Sequence, residues 1–405
     1  MKNGRLQRFV LVAQVPGVIG ASPDLAVASD FQIETPRELC IQAIQTATLR
    51  RTDDLFNDIY LPDGRQKPQV LFQIATHQDY GDTFIDRGEE LFLAKRGLEP
   101  AAECTSEKVS GIMTPQCSDD EIQDLLVSNA SVYFQGGGNW GDLWRSHHLR
   151  RMEEIAHLAT REHMTIVTMP QSLHFGRRGH QQADSRRVAA IVDSKHPTTR
   201  LVFFFRQRDS YETARLMYPG VDVRLVPDLA FLLGPQLRAQ TKKFTYDILF
   251  LTRYDKEESM GSGVTEFITS EMQRQAPGVS FYVGDWQNTR NDEDTWLYLH
   301  NHVEPSVAAL RASAVVEAGI RQMSTAKVVV TTRFHGSILA LLLGIPHVVI
   351  DGGKDSASYG KRKLTRAAAF EASEHCTQEN LRYVDANSTA DGIVKGLQLL
   401  EKYWK

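Results

Sequence analysis

Cysteine is scarce in this chain, with only Cys40, Cys104, Cys117 and Cys376 among 405 residues. None forms a C-x-x-C pair and the four do not cluster, so neither a disulfide framework nor a zinc site is expected, and a reducing compartment fits. No apolar run approaches the roughly 20 residues of a membrane-spanning helix. Neither sign of charge dominates: 46 Lys and Arg stand against 50 Asp and Glu, a formal net charge of −4. That balance excludes a general nucleic-acid binder, which needs a basic face. H-E-x-x-H and G-x-S-x-G are absent. The triplet Asp292-Glu293-Asp294 lies in a polar stretch with no strand before it, so no metal site is expected.

At the N-terminus, Lys2, Arg5 and Arg8 precede a moderately apolar stretch, Phe9–Ala21, interrupted by Gln14, Pro16 and Gly17. The favoured reading is a first strand, Phe9–Val15, with a Pro-Gly turn, in a cytoplasmic protein. A weak or truncated signal leading to the secretory lumen is the alternative.

What is present is alternation. Short apolar runs predict strands at 69–75, 131–134, 165–169, 201–206, 224–226, 247–251, 280–283, 327–332 and 347–351. Amphipathic stretches predict helices at 86–96, 119–128, 144–163, 185–194, 210–218, 263–275, 307–322, 337–343 and 389–404. Strand and helix in turn mean parallel sheets covered on both faces. The polar segment 233–244 divides the strands into two sets. The expected fold is α/β: two doubly wound, Rossmann-like domains facing a cleft, a GT-B-like plan, divided as 1–235 and 236–390. A last helix, 391–405, is expected to pack back on the N-terminal domain.

Ligands of such folds bind at the carboxyl ends of the strands. The strongest signal there is Thr331-Thr332-Arg333-Phe334-His335-Gly336-Ser337, where a buried strand meets a helix start. Unpaired N–H groups at a helix N-terminus favour an anion. Arg333 adds a planar cationic fork, and His335 can move protons near neutral pH. Gly344 suits the helix C-cap. A second signal is Gln135-Gly136-Gly137-Gly138-Asn139-Trp140-Gly141-Asp142, read as a close-approach turn or as a tight turn capped by Asp142. It is not taken as a dinucleotide fingerprint, and no G-K-[ST] follows to make a P-loop. Gln171, Ser172 and His174 follow another strand. Arg208 stands at a helix start, where a cation opposes the dipole unless an anion is near. Asp228 follows a further strand as a turn former or a cleft carboxylate, and Asp82, after the strand 69–75, is placed to reach the cleft.

Taken in order, Gly81-Asp82, Gly136 to Asp142, Pro170-Gln171-Ser172, Arg208-Asp209-Ser210, Pro227-Asp228 and Thr332 to Gly336 with Gly344-Ile345-Pro346 resemble the polysaccharide pyruvyltransferase family. The set spans about residues 70 to 350; Phe334 stands where many relatives carry Leu. The resemblance implies a reaction in which phosphoenolpyruvate, as co-substrate and with no cofactor or metal, gives its pyruvate to a sugar as a cyclic ketal and releases phosphate. It implies that Arg208 and Arg333 hold the anionic donor and that His335 is the principal acid/base. Asp82, Gly136, Gly137, Gly138, Asn139, Asp142, Gln171, Ser172, His174, Asp228, Gly336 and Ser337 would line the substrate. The acceptor would be a sugar on a glycan, a polysaccharide or a lipid-linked repeat unit, the last bringing peripheral membrane association. A GT-B glycosyltransferase using a nucleotide sugar and a non-catalytic carbohydrate-binding protein are the competing readings.

Overall fold

The computed structural model describes residues 35–57, 59–61, 64–74, 80–106, 115–127, 129–234, 244–253, 263–286, 308–350 and 374–404. The expected strand at 9–15, the polar segment 235–243 and the Asp292-Glu293-Asp294 triplet lie outside them. Residues from Thr35 to Lys405 form one compact unit.

Two parallel sheets organise it. The first contains β1 (Gln69–Phe72), β2 (Ala102–Cys104), β3 (Ser131–Phe134), β4 (Gly137–Gly141), β5 (Thr165–His174), β6 (Arg200–Phe205) and β7 (Asp222–Leu225), in the order β2-β1-β3-β5-β6-β7 with β4 beside the far end of β5. The second contains β8 (Tyr246–Leu251), β9 (Phe281–Gly284), β10 (Ala326–Thr331), β11 (His347–Ile350) and β12 (Tyr383–Ala386), in the order β12-β11-β10-β8-β9. Each sheet reverses direction once, between β1 and β3 and between β8 and β10, and such reversals open a crevice at the carboxyl ends. Runs such as Val328-Val329-Val330 and Val202–Phe205 are buried throughout, as strands covered on both faces must be.

The helices are α1 (Pro36–Arg50), α2 (Tyr80–Ala94), α3 (Asp120–Leu125), α4 (Arg145–Ala159), α5 (Arg178–Ser194), α6 (Arg208–Met217), α7 (Val264–Gln275), α8 (Ala308–Ser324), α9 (Phe334–Leu343) and α10 (Thr389–Trp404). Helix α1 was not expected from the sequence. A capping box between Thr35 and Glu38, with Pro36 in its first turn, starts it. Gly344 ends α9 in the left-handed conformation, as anticipated.

Four corrections bear on function. Helix α2 begins at Tyr80, so Asp82 sits in a first helical turn rather than in a loop. The run Gly136–Gly141 has the spacing G-x-G-x-x-G, yet it continues as strand β4 instead of turning into a helix, so it offers no helix N-terminus to a pyrophosphate. Helix α10 packs on the second sheet, where Ile393, Leu399 and Leu400 meet Ile248, Phe250, Val328 and Val330, and not on the N-terminal half. Finally, all four cysteines are paired, Cys40 with Cys376 and Cys104 with Cys117. The first pair joins residues 336 positions apart, a proximity that spacing cannot reveal.

One buried cluster ties helices of the N-terminal half to the second sheet and its helices. It combines Cys40, Ile41 and Ile44 of α1, Tyr80 and Phe84 of α2, Phe231, and Phe334, Ile338 and Leu342 of α9.

Candidate functional site

At the carboxyl end of β6, Arg206 follows five buried residues, Leu201–Phe205, and is itself buried. Its Nη1 donates to Asp228 Oδ2 at 2.5 Å, its Nε donates to Ser172 Oγ at 2.9 Å, and the guanidinium lies 4.3 Å over the Phe334 ring. Asp228 starts the 3-10 turn Leu229–Leu233, where its Oδ1 accepts the Ala230 amide at 2.9 Å. His335 enters from the other sheet on the first turn of α9. Its Nε2 stands 3.3 Å from Asp228 Oδ2 and 3.2 Å from Arg206 Nη1.

That imidazole nitrogen therefore faces an acceptor and a donor at similar distance. It can donate a hydrogen bond to Asp228 when it carries a proton, or accept one from the Arg206 guanidinium when it does not. Burial pushes the Asp228 carboxyl up, but His335, Arg206 and the Ala230 amide more than offset it and hold the group well below the usual carboxylate range. Asp228 is thus held as an anion beside His335.

Arg333 is the N-cap of α9 and is buried. Its amide donates to Thr331 Oγ1 at 2.9 Å, and its Nε donates to Asp285, which follows β9. Asp285 also accepts the Trp286 amide at 2.6 Å, which fixes the carboxylate that fixes the arginine.

The glycine segment lies on the first sheet's side. Gly137 adopts φ +124°, and a Cβ there would stand 3.8 Å from Asp82 Oδ1. Gly141 adopts φ +126° and runs so close to β5 that a Cβ would fall 1.7 Å from the His174 carbonyl oxygen. Gly138 and Asn139 are half-buried between them. Gln171 donates to the Gln135 carbonyl at 2.5 Å, and so ties β5 to the end of β3.

Several expected roles change. Asp142 does not cap α4, whose N-cap is Trp144. Its oxygens accept the Gly176 and Arg177 amides at 2.8 and 3.0 Å, with His180 Nδ1 at 3.0 Å and His174 Nε2 at 3.8 Å. Burial raises its pKa, but these partners carry it below the ordinary value, so Asp142 is an ionised anchor for the segment after β5. The Ser337 hydroxyl is spent on His347 Nε2 at 3.0 Å and is fully buried, so it does not face a substrate. Gly336 serves packing: a Cβ there would meet Leu251 and the Thr331 hydroxyl at 2.8 Å. Arg208 opens α6 with a half-exposed side chain 3.6 Å from Glu212. The structure brings Arg206, two positions earlier, to Asp228 and His335 instead. Sequence reasoning passed over Arg206 because it read as the last residue of a strand. It missed Asp285 because nothing local marks it. Among the described residues no three His, Cys, Asp or Glu side chains gather where they could hold a metal ion, and no helix is long and apolar enough to cross a membrane.

Two doubly wound parallel sheets, with buried charges converging from both at their carboxyl ends, define a GT-B-like α/β protein. A family model described as polysaccharide pyruvyl transferase matches residues 42–353. The chain belongs to that family. Pyruvyl transferase 1 of Schizosaccharomyces pombe is 30% identical over 308 residues, covering 71% of this chain and 67% of that protein. EpsO of Bacillus subtilis, whose name gives pyruvyl transfer as a provisional assignment, is 27% identical over 310 residues, covering 73% of this chain and 84% of that protein. Among solved structures, a functionally uncharacterised protein of Klebsiella pneumoniae superposes with a TM-score of 0.50 at 15% identity, over 84% of this chain and 99% of that one, a likeness of fold alone.

Proposed function

We propose that this protein transfers the pyruvate of phosphoenolpyruvate to a sugar of a glycan as a cyclic ketal and releases phosphate. The observation that carries the proposal is the Arg206–Asp228–His335 cluster, in which a proton-transfer group from one sheet meets a buried arginine and carboxylate of the other. The reaction makes two C–O bonds at the enol carbon and breaks its bond to the phosphate oxygen. Two sugar hydroxyls lose protons; one proton ends on the enol CH2, which becomes a methyl group, and the other leaves with phosphate. His335 is suited to carry one of these protons. Arg333, at the start of α9, and Arg206, in the place assigned from sequence to Arg208, are suited to the carboxylate and phosphate of the donor. Asp228 and Asp285 hold the two guanidinium groups in place before any ligand arrives, which is preorganisation. No step in this scheme calls on a cofactor.

The two disulfides also bear on location. Such bonds persist in oxidising compartments and are rare where thiols are kept reduced. We therefore infer that the folded chain works in an oxidising compartment, the alternative raised by its N-terminus.

Incubation with phosphoenolpyruvate and a panel of glycosides tests the reaction. One glycoside should gain the mass of one pyruvate ketal with equimolar phosphate. Stabilisation by a nucleotide-diphosphate sugar, with no ketal formed, would overturn the proposal in favour of a glycosyltransferase.

A further inference from the structure

The face of α2 that meets the glycine segment carries Asp82, Asp86 and Glu89, spaced i, i+4 and i+7 so that they project together. Two of them grip consecutive residues at the end of β3. Asp86 Oδ1 accepts from the Gln135 side-chain amide at 2.6 Å, and Glu89 Oε1 accepts from the Gly136 backbone amide at 2.7 Å. Glu89 is fully buried, and its Oε2 has no hydrogen-bond partner among the described residues. The neighbouring Arg151 is similarly placed, with Nη1 lacking such a partner while its Nε donates to Gln73. Gln73 follows β1 with φ +63°, a left-handed conformation uncommon for a non-glycine residue.

Close packing fixes the helix that bears these groups. Gly88 touches the backbone after Asp228 so tightly that a Cβ would lie 2.3 Å from the Leu229 carbonyl oxygen. Gly136 is confined in turn, with Pro170 O 3.0 Å and Glu89 Oε1 3.5 Å from where its Cβ would be. The grip also sits at the β1/β3 reversal of the first sheet, the place where a doubly wound sheet receives a ligand.

We propose that Glu89 is a positioning residue for the acceptor sugar: through the Gly136 amide it sets the backbone of Gly136–Gly138, the segment that the sequence assigns to substrate. The inference rests on the transferase reading above. The surroundings of Glu89 favour its neutral form. Burial raises its pKa well above the ordinary value, the neighbouring Asp86 and Asp228 raise it further, and the Gly136 amide and Arg151 only partly offset them. A neutral glutamine can accept the same hydrogen bond; alanine cannot.

The test compares Glu89→Gln and Glu89→Ala in the full chain by steady-state kinetics and by amide hydrogen exchange over residues 135–141. Glu89→Ala should raise KM for the accepting glycoside about tenfold, the scale of one lost hydrogen bond, while KM for phosphoenolpyruvate stays within about twofold. Exchange at the glycine segment should quicken. Glu89→Gln should restore both readouts to within about threefold of wild type. An unchanged acceptor KM in a folded Glu89→Ala protein overturns the proposal. So does a Glu89→Gln protein as impaired as Glu89→Ala, because the ionisable carboxyl itself would then be required. If the wild type transfers no pyruvate, the functional reading fails and the acceptor role with it, while the exchange data still decide whether Glu89 holds the turn.

Discussion

The guanidinium of Arg206 is stacked 4.3 Å over the ring of Phe334, so a residue of the first sheet is held by the first turn of a helix from the second. With Asp228 and Ser172 in its plane, the arginine is fixed in the plane and across it. A cation over an aromatic face out of water contributes about 1–2 kcal/mol. Phe334→Ala should therefore lower kcat/KM for pyruvyl transfer about tenfold or more. Phe334→Leu keeps the apolar contact and should cost less. Equal activity of wild type and Phe334→Ala would show that the stack is incidental.

Asp228 gives a second prediction, with a definite sign. Its folded pKa lies below the unfolded one, so its stabilising contribution is present above about pH 4 and is lost as the pH falls toward the folded value. Asp228→Asn leaves the Arg206 charge buried without its partner and should cost about 3 kcal/mol at neutral pH. The gap between the two proteins should begin to close as the pH falls below about 4, where the unfolded carboxylate takes up a proton that the folded one still resists. A gap that widens in acid would contradict the assignment.

His335→Ala removes the proposed proton carrier but leaves Arg206, Asp228 and Arg333 in place. Phosphoenolpyruvate should still bind, as calorimetry or thermal shift would register. Turnover should drop about a hundredfold or more, the ordinary value of a positioned acid/base. Loss of binding with chemistry intact would make His335 a ligand group instead.

The sheet cores were legible because they are written in one-letter terms: runs such as Val328-Val329-Val330 suit strands buried on both sides. Most helix starts were legible as well, but those of α2 and α5 were not. The first turns of α2 and α5, with Gly81 and Asp82 or Gly179 and His180, carry no apolar periodicity, and tertiary contacts decide them. Strand β4 has almost no intrinsic β preference and exists because β5 extends to pair with it, through Gly137 and Gln171 and through Gly141 and His174. The site was legible where local sequence holds it, as at Arg333 and His335. It was hidden where it depends on distant partners, as for Arg206 with Asp228, Arg333 with Asp285 and Glu89 with Gly136.

That pairing of β4 with β5 can be tested directly. Gly141→Ala places a methyl group on the His174 carbonyl oxygen, so the strands must separate. Gly97 is the control: it also has a positive φ, +67°, but has nothing within 4 Å of its Cβ position. Gly97→Ala should cost about 1 kcal/mol of conformational strain. Gly141→Ala should cost about 4 kcal/mol, in the range reserved for severe steric conflicts, and should abolish transfer. Similar denaturation midpoints for the two variants would mean that β4 is free to shift.

The Cys40–Cys376 bond makes the last prediction. It joins α1 to the segment before β12 across 336 positions of sequence, and both cysteines are buried in one cluster. A cross-link that closes so long a loop removes much of the freedom of the unfolded chain, about 3–5 kcal/mol. Cys40→Ser should therefore lower the melting temperature substantially, and reductant should lower it further, by a smaller step, by opening Cys104–Cys117. Reduction of the wild type should lower it by at least as much, since Cys104–Cys117 is opened too, although that bond closes a loop of only 13 positions and is the smaller contribution. If the oxidised and reduced proteins melt together, the cysteines are merely adjacent thiols, and the inference of an oxidising compartment falls with the bonds.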